Sequence, residues 1–515
     1  MNGAHALIRT LSNGGVNTCF MNPGTSEMHF VAALDSVPEM KSVLCLFEGV
    51  ATGCADGYAR MTGRPAATLL HLGPGLGNGI ANLHNARKAF SPVVNIVGDH
   101  ATYHVKHDAP LTSDIEGIAR SVSGWIRTSP SSMAVAADGA EAIAAAQSPP
   151  GQVATLILPA DTAWNRAMGP APAQIPLRPP TVPDERIQRL AALLKRRENT
   201  AILVGHHVMG DEMLSHLVSR IASGTGARLI GNRAAARVSR GAGRPILARL
   251  PYPVDQAVAM LDGIEHLILV GTKEPVGFFA YPNKPSLMAP PDAKIHVLAE
   301  VHEDVGAALQ SLARALDPPA EASHIARLHR PALPTGALTP DAIWTALCAL
   351  MPEHAIVCDE SITSGRSAGP LTETAPPHDW LHVTGGAIGQ GLPVATGAAV
   401  ACPNRQVFAM EADGSGMYTL QALWTQARES LKVVTVIFAN QTYRILQGEM
   451  AGVGGSEPGP RASDMLRIDR PGLDWVSLAI GMGVPASRAT SAEEFSTALR
   501  QGISATGPYL IEAMI

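Results

Sequence analysis

The chain predicts an α/β protein of three doubly wound parallel-sheet domains. Three observations carry that expectation. Short apolar runs alternate with helix-like segments along most of the sequence, and such alternation implies parallel strands joined by crossover helices. The 515 residues exceed what one hydrophobic core serves. Two Pro-rich stretches, Gly169–Pro183 and Asp317–Pro340, divide the alternation into three parts. The expected units are 1–168, 184–316 and 335–515.

In the first unit a helix over His5–Gly14 precedes a short strand, Asn17–Asn22, and the turn Pro23-Gly24-Thr25-Ser26-Glu27. Met28–Leu34 reads as a helix and Val43–Phe47 as a strand. Glu48 opens a helix running to Met61, rich in Gly and Ala. The strand Ala66–Leu70 ends on His71 and leads into a Gly-rich turn, Gly73–Gly79, before the helix Ile80–Ala89. Val93–Val97 and Val153–Leu158 are further strands. The second unit offers strands at Thr200–Val204, Arg228–Ile230, His266–Val270 and Lys294–Leu298. The third starts with the helix Pro340–Met351 and the strand Ala355–Cys358. Its best-marked stretch is Val407–Met410, a buried strand; then Asp413-Gly414-Ser415-Gly416, a turn; then Tyr418–Arg428, a helix with Leu420, Leu423, Trp424 and Ala427 on one side; then a second buried strand, Val433–Ala439.

Composition is globular, 46% hydrophobic and 16% charged with a formal net charge of −5. No basic patch points to nucleic acid. Six cysteines lack CxxC spacing and read as reduced core residues of a cytoplasmic protein. The amino terminus lacks a signal-peptide core, and no apolar run approaches the roughly 20 residues that span a bilayer, so no membrane partner is expected.

The strand–turn–helix–strand around Asp413 carries the chemistry. A parallel sheet puts Asp413 and Asn440 at the carboxyl ends of neighbouring strands, where open α/β sheets bind ligands. A carboxylate and an amide oxygen there suit Mg²⁺, which takes its remaining ligands from phosphate and water. Gly414 and Gly416 allow close approach of backbone to phosphate, Ser415 offers a hydroxyl, and the following helix points its amino terminus at the anion. The bland alternative is a plain βαβ unit with a capping Asp.

This stretch resembles the thiamine diphosphate signature, G-D-G followed at somewhat under thirty residues by N-N. Ala412 and Ala439 depart from it; Asp413 and Asn440 do not. The wider resemblance, to the superfamily of pyruvate oxidase, acetolactate synthase and 2-oxo acid decarboxylases, rests on Asn22-Pro23-Gly24-Thr25, Glu48, Ala55-Asp56-Gly57-Tyr58-Ala59 and Gly73-Pro74-Gly75, and it covers almost the whole chain. It implies a pyrimidine-binding first domain, a central domain and a diphosphate-binding third domain. It implies thiamine diphosphate with Mg²⁺ on Asp413, Asn440 and the Thr442 carbonyl, and Glu48 as the carboxyl group that shifts the aminopyrimidine to its imino tautomer, a role an apolar setting favours. By the same resemblance Ile362 and Thr363 lie in a diphosphate turn, and Gly386 and Ile388 support the bent cofactor. Pro23, Gly24, Gly414, Ser415 and Tyr443 are its further contacts. A dimer is the minimum unit and a homotetramer is expected.

The resemblance also implies a small 2-oxo acid substrate that loses CO₂ to leave an enamine, which is protonated or added to a second carbonyl. Thr25 and His71 stand where benzoylformate decarboxylase has a substrate-contacting Ser and a His. Its second catalytic His falls at Ala280, which puts simple benzoylformate decarboxylation in doubt and is compatible with ligation. The segment Glu274–Phe279 departs from the pattern of FAD-binding relatives, so FAD is not expected. His100, His104 and His107 recur at near-helical spacing and read as surface or site-lining groups in preference to a metal site. The rival readings are a non-catalytic paralogue, favoured only by Ala412 and Ala439, and a nicotinamide-dependent dehydrogenase, disfavoured because no G-x-G-x-x-G opens the first βα turn.

Overall fold

The computed structural model describes residues 1–453 and 458–515. Three sheets organise the chain. The first is parallel throughout, in the order Lys41–Leu44, Thr18–Asn22, Ala66–Leu70, Val93–Asp99, Val153–Pro159, Trp125–Thr128. The second is also parallel: Ala248–Arg249, Arg228–Gly231, Thr200–Val204, His266–Val270, Lys294–Ala299. The third runs Ala486–Ala489, Tyr509–Met514, Val433–Ala439, Val407–Ala412, Ile356–Glu360, His378–His382, all parallel, and then takes Val238–Arg240 as an antiparallel edge strand. That last strand comes from the chain segment of the second sheet, so those two parts share a sheet edge.

The expected fold class is the one observed. Several local readings need correction. The strand expected at Val43–Phe47 lies at Lys41–Leu44, because Phe47 is already the extended residue that caps the helix Glu48–Thr62. The Gly-rich stretch Gly73–Gly79 is not a turn but the first half of an 18-residue helix, Leu72–Ala89, entered through Leu72 at φ 50°. Glycine's low helix propensity is overridden there by packing: a Cβ at Gly73 would strike Ser113, and one at Gly79 would press on Thr52. The helix expected from Tyr418 begins at Ala422, preceded by a single helical turn, Asp413–Gly416.

Two helices bring the first and third parts of the chain together. Glu48–Thr62 crosses Gly391–Ala401 so closely that a Cβ at Gly53 would meet Pro393, one at Gly57 the Val394 carbonyl, and one at Gly397 the Cys54 carbonyl. The conspicuous small residues of the first helix are therefore there for backbone-to-backbone approach. A buried ion pair locks the crossing. Arg60 Nη2 lies 2.6 Å from Asp56 Oδ2, and the guanidinium also donates to the carbonyl of His382, to Ala236 and to the Thr384 hydroxyl. Asp56 further accepts from Gln390 and Ser91. No helix among the described residues is long and apolar enough to cross a membrane.

Candidate active site

The strand Val407–Ala412 pairs in parallel with Val433–Ala439, with Ala412 opposite Phe438. This register sets Asp413 beside Asn440 at the carboxyl ends of the pair. Asp413 is buried. Its Oδ1 accepts from the Gly414 amide at 2.9 Å and its Oδ2 from the Gln441 amide at 2.5 Å. Burial pushes its carboxyl up to about 6, against the pull of those two amides. Gln441 takes a left-handed conformation, φ 56°, which turns the chain so that the Thr442 amide donates to Asn440 Oδ1 at 3.0 Å. The Asp413 carboxylate and the Asn440 amide oxygen offer oxygen donors only. A buried carboxylate with no cationic side chain hydrogen-bonded to it suits a hard divalent cation, and four lone-pair sites leave room for one beside two N–H donors. The residues present therefore fit Mg²⁺ and a diphosphate.

Ser415 is less free than its motif suggests. Its hydroxyl donates to Glu411, whose other oxygen is buried without a hydrogen-bond partner. Glu411 lies directly opposite Glu360 on the neighbouring strand. Glu360 accepts from the Gly389 amide at 2.9 Å and from the Gly391 amide at 2.5 Å. Burial raises Glu360 to about 7, and burial together with the charge of Glu360 raises Glu411 well above the ordinary carboxylate range. The two side chains tie the metal turn to the loop Gly385–Gly391.

That loop is held from both sides. Asn85 donates to the Ala387 carbonyl at 2.7 Å and accepts from its amide at 3.2 Å; Asn82 and Thr419 both donate to the Gly389 carbonyl. Gly386, at φ 80°, is exposed, and Ile388 beside it is half-buried. The ring of Phe278 lies against Gly386. From the same segment Tyr281 donates to Glu449 at 2.7 Å, on the helix Arg444–Gly452 that follows Tyr443. Tyr443 packs against Gly414. Ile362 occupies φ 52°, unusual for a β-branched residue, and with Thr363 begins the short helix after Glu360.

Glu48 is 7% exposed at the start of its helix, and Asn78 donates to its Oε2 at 3.0 Å. Gly75 leaves the carboxylate uncovered on one side: a Cβ there would lie 3.1 Å from Oε1. Its hydrogen bond stays within the first part of the chain. His71, at the end of the adjoining strand, sets its Nδ1 2.7 Å from Glu27 Oε2. Glu27 is buried, also accepts from the Gly24 amide at 2.8 Å and from Ser26 at 2.7 Å, and so locks the turn Pro23–Glu27 against His71. Thr25 is exposed on that turn. Glu27 was not among the expected site residues; its place three residues after Gly24, as in a capping box, was the available signal. His100, His104 and His107 form a ladder with ring centroids 5.5 and 5.7 Å apart, not a converging ligand set.

Comparison with known proteins points the same way. The family model described as the thiamine pyrophosphate enzyme N-terminal TPP binding domain matches residues 1–118, and the C-terminal TPP binding domain matches 364–513. A Mycobacterium tuberculosis protein, provisionally named acetolactate synthase large subunit IlvX, is 52% identical over 100% of this chain and 99% of its own. Benzoylformate decarboxylase of Pseudomonas aeruginosa is 30% identical over 98% of this chain and 97% of its own. The structure of a thiamine diphosphate-dependent 4-hydroxybenzoylformate decarboxylase of Rhodococcus jostii RHA1 superposes with a TM-score of 0.87 at 25% identity, covering 99% and 98% of the two chains. Glu48 with Gly75 at one end of the chain and the Asp413–Asn440 turn at the other fall in the two matched cofactor domains, and with full-length relatives on both counts the chain belongs to the thiamine pyrophosphate enzyme family.

Proposed function

We propose that the protein catalyses thiamine diphosphate- and Mg²⁺-dependent decarboxylation of a small 2-oxo acid, followed by protonation or by ligation to a second carbonyl. The observation that carries this reading is the buried Asp413 carboxylate beside the Asn440 amide oxygen, a donor set built for a diphosphate-bound hard cation. Asp413, Asn440 and the Thr442 carbonyl would hold the metal. Gly414, Ser415, Ile362, Thr363 and Tyr443 receive the diphosphate end. Pro23, Gly24, Gly386, Ile388 and Glu48 receive the pyrimidine end. Thiamine diphosphate, when bound, supplies the electron sink that a 2-oxo acid needs in order to lose CO₂.

The chain's own groups do the rest. Glu48, buried and oriented by Asn78, is the carboxyl group that would hold or give a proton at the pyrimidine end of the cofactor. Glu27 accepts from His71 Nδ1–H, which leaves Nε2 of His71 as the atom that takes or gives a proton to substrate. Thr25, exposed on the turn that Glu27 locks, orients the substrate carboxylate. Ala280 supplies no second proton donor, which is compatible with ligation, because slower protonation leaves the enamine free to meet an acceptor. The halves presented by the two ends of the chain combine across a dimer, which assembles further into a cytoplasmic homotetramer; FAD has no part in the reaction.

The test is CO₂ release and product identity from a panel including pyruvate and benzoylformate, with thiamine diphosphate and Mg²⁺ added. A 2-hydroxyketone as main product makes the protein a carboligase, and an aldehyde makes it a decarboxylase with another proton donor. No turnover of any 2-oxo acid by cofactor-loaded protein would overturn the proposal.

A further inference from the structure

The central sheet carries a side-chain cluster that the cofactor chemistry does not use. Three of its strands begin side by side: Thr200, His266 and Lys294 are the first residues of their strands and lie in register. Backbone bonds clip the approach segments together, from the Glu265 amide to the Asn199 carbonyl and from the Lys294 amide to the Glu265 carbonyl. Glu198, Glu265 and His266 are thereby gathered at the amino-terminal edge of the sheet, with one ligand atom from each all within 4.8 Å of one another. They are the one such converging group of three among the described residues. His266 is buried at 5% exposure, with Nε2 2.8 Å from Glu198 Oε2. Its Nδ1 lies 3.0 Å from Nε2 of His296, which projects from the same face of the neighbouring strand, one pleat along.

We propose that Glu198, Glu265 and His266 form a zinc-class metal site, separate from the cofactor turn, that fastens the starts of the central strands. The ligand set is one imidazole and two carboxylates; the imidazole favours Zn²⁺ and its neighbours over Mg²⁺ or Ca²⁺, and zinc accepts carboxylate oxygens beside it. Bonds of about 2.0–2.2 Å in a tetrahedron require ligand atoms roughly 3.3–3.5 Å apart. Both glutamates are exposed and free to adjust toward that spacing, while His266 is buried. His296 supplies what a ligating imidazole commonly has, a partner for its other ring nitrogen that sets tautomer and orientation. Arg189 and Lys294 bring positive charge toward His296 that repels a cation, so both carboxylates are needed to make the site attractive. Three protein ligands leave the fourth position to water. The competing arrangement is a metal-free chain, His296 Nε2–H to His266 Nδ1 and His266 Nε2–H to Glu198, which binds nothing.

Zinc titration of the full chain, saturated with thiamine diphosphate and Mg²⁺ so that the Asp413 turn is already filled, separates the two. The proposal expects one saturable equivalent of Zn²⁺ per chain in the micromolar range, an absorption band of tetrahedral type with Co²⁺, and a zinc-dependent rise in Tm. His266→Asn abolishes all three, and Glu265→Gln weakens zinc binding at least tenfold. Should His266→Asn fail to fold, the exposed Glu198→Gln/Glu265→Gln double variant serves in its place. Absence of saturable binding in the wild type, or identical titrations in wild type and double variant, would overturn the site. Neither outcome depends on whether the protein turns over a 2-oxo acid.

Discussion

Glu360 and Glu411 show what single residues contribute that a motif does not announce. They are far apart in sequence and meet only because two strands pair in register. Both titrate above the ordinary carboxylate range because burial disfavours their charge. The sign follows from linkage: a carboxyl whose folded value is raised stabilises the fold fully below its unfolded value of about 4.5 and loses that contribution as pH rises through about 7. Thermal unfolding of cofactor-free protein from pH 5 to 8 therefore shows a steeper loss of stability in wild type than in Glu411→Gln, which removes one of the two buried carboxyls. Parallel slopes would show that Glu411 adds nothing to the loss of stability in this range. Asp413 and Asn440, by contrast, were legible from sequence, since their chemistry lies in a contiguous strand–turn–helix–strand. Glu27 was half-legible. Its spacing from Gly24 is local, but its hydrogen bond to His71 spans 44 residues and required the sheet.

At the scale of elements, the crossing of Glu48–Thr62 with Gly391–Ala401 decides how the first and third parts of the chain meet. Gly57→Ala drives a methyl into the Val394 carbonyl and costs about 1–3 kcal/mol by overpacking. Gly77, in the helix Leu72–Ala89, has no atom within 4 Å of where its Cβ would stand. Gly77→Ala is expected to stabilise by about 0.5–1 kcal/mol through helix propensity. Denaturant unfolding of the two variants gives shifts of opposite sign; equal shifts would contradict the close crossing. The same elements show where periodicity misled. Gly73–Gly79 reads as a turn on local propensity, yet tertiary packing makes it helix. The edge strand Val238–Arg240 joins a sheet built from a later part of the chain, a long-range pairing that no local pattern encodes.

For the whole molecule, Arg60 joins all three parts of the chain. It pairs with Asp56 and donates to the carbonyls of Ala236 and His382. Arg60→Leu strands Asp56 as a buried charge and costs about 3–5 kcal/mol, read as a lowered Tm by calorimetry; Asp56→Asn in the same chain recovers part of the loss. A fall no greater than that of an exposed arginine substitution would remove the clamp from the account. The three-sheet architecture was legible because alternating apolar runs, two Pro-rich breaks and small-residue helices each point to it. Cofactor class was legible from the two terminal motifs, whereas the contacts of Phe278 with Gly386 and of Tyr281 with Glu449 join distant segments and required the fold. The most direct test compares thiamine diphosphate- and Mg²⁺-dependent CO₂ release from 2-oxo acids by wild type and Glu48→Gln, with cofactor binding measured alongside. The account predicts release by the wild type and a loss of about 10²-fold or more in the variant with cofactor still bound; undiminished turnover by Glu48→Gln would contradict it.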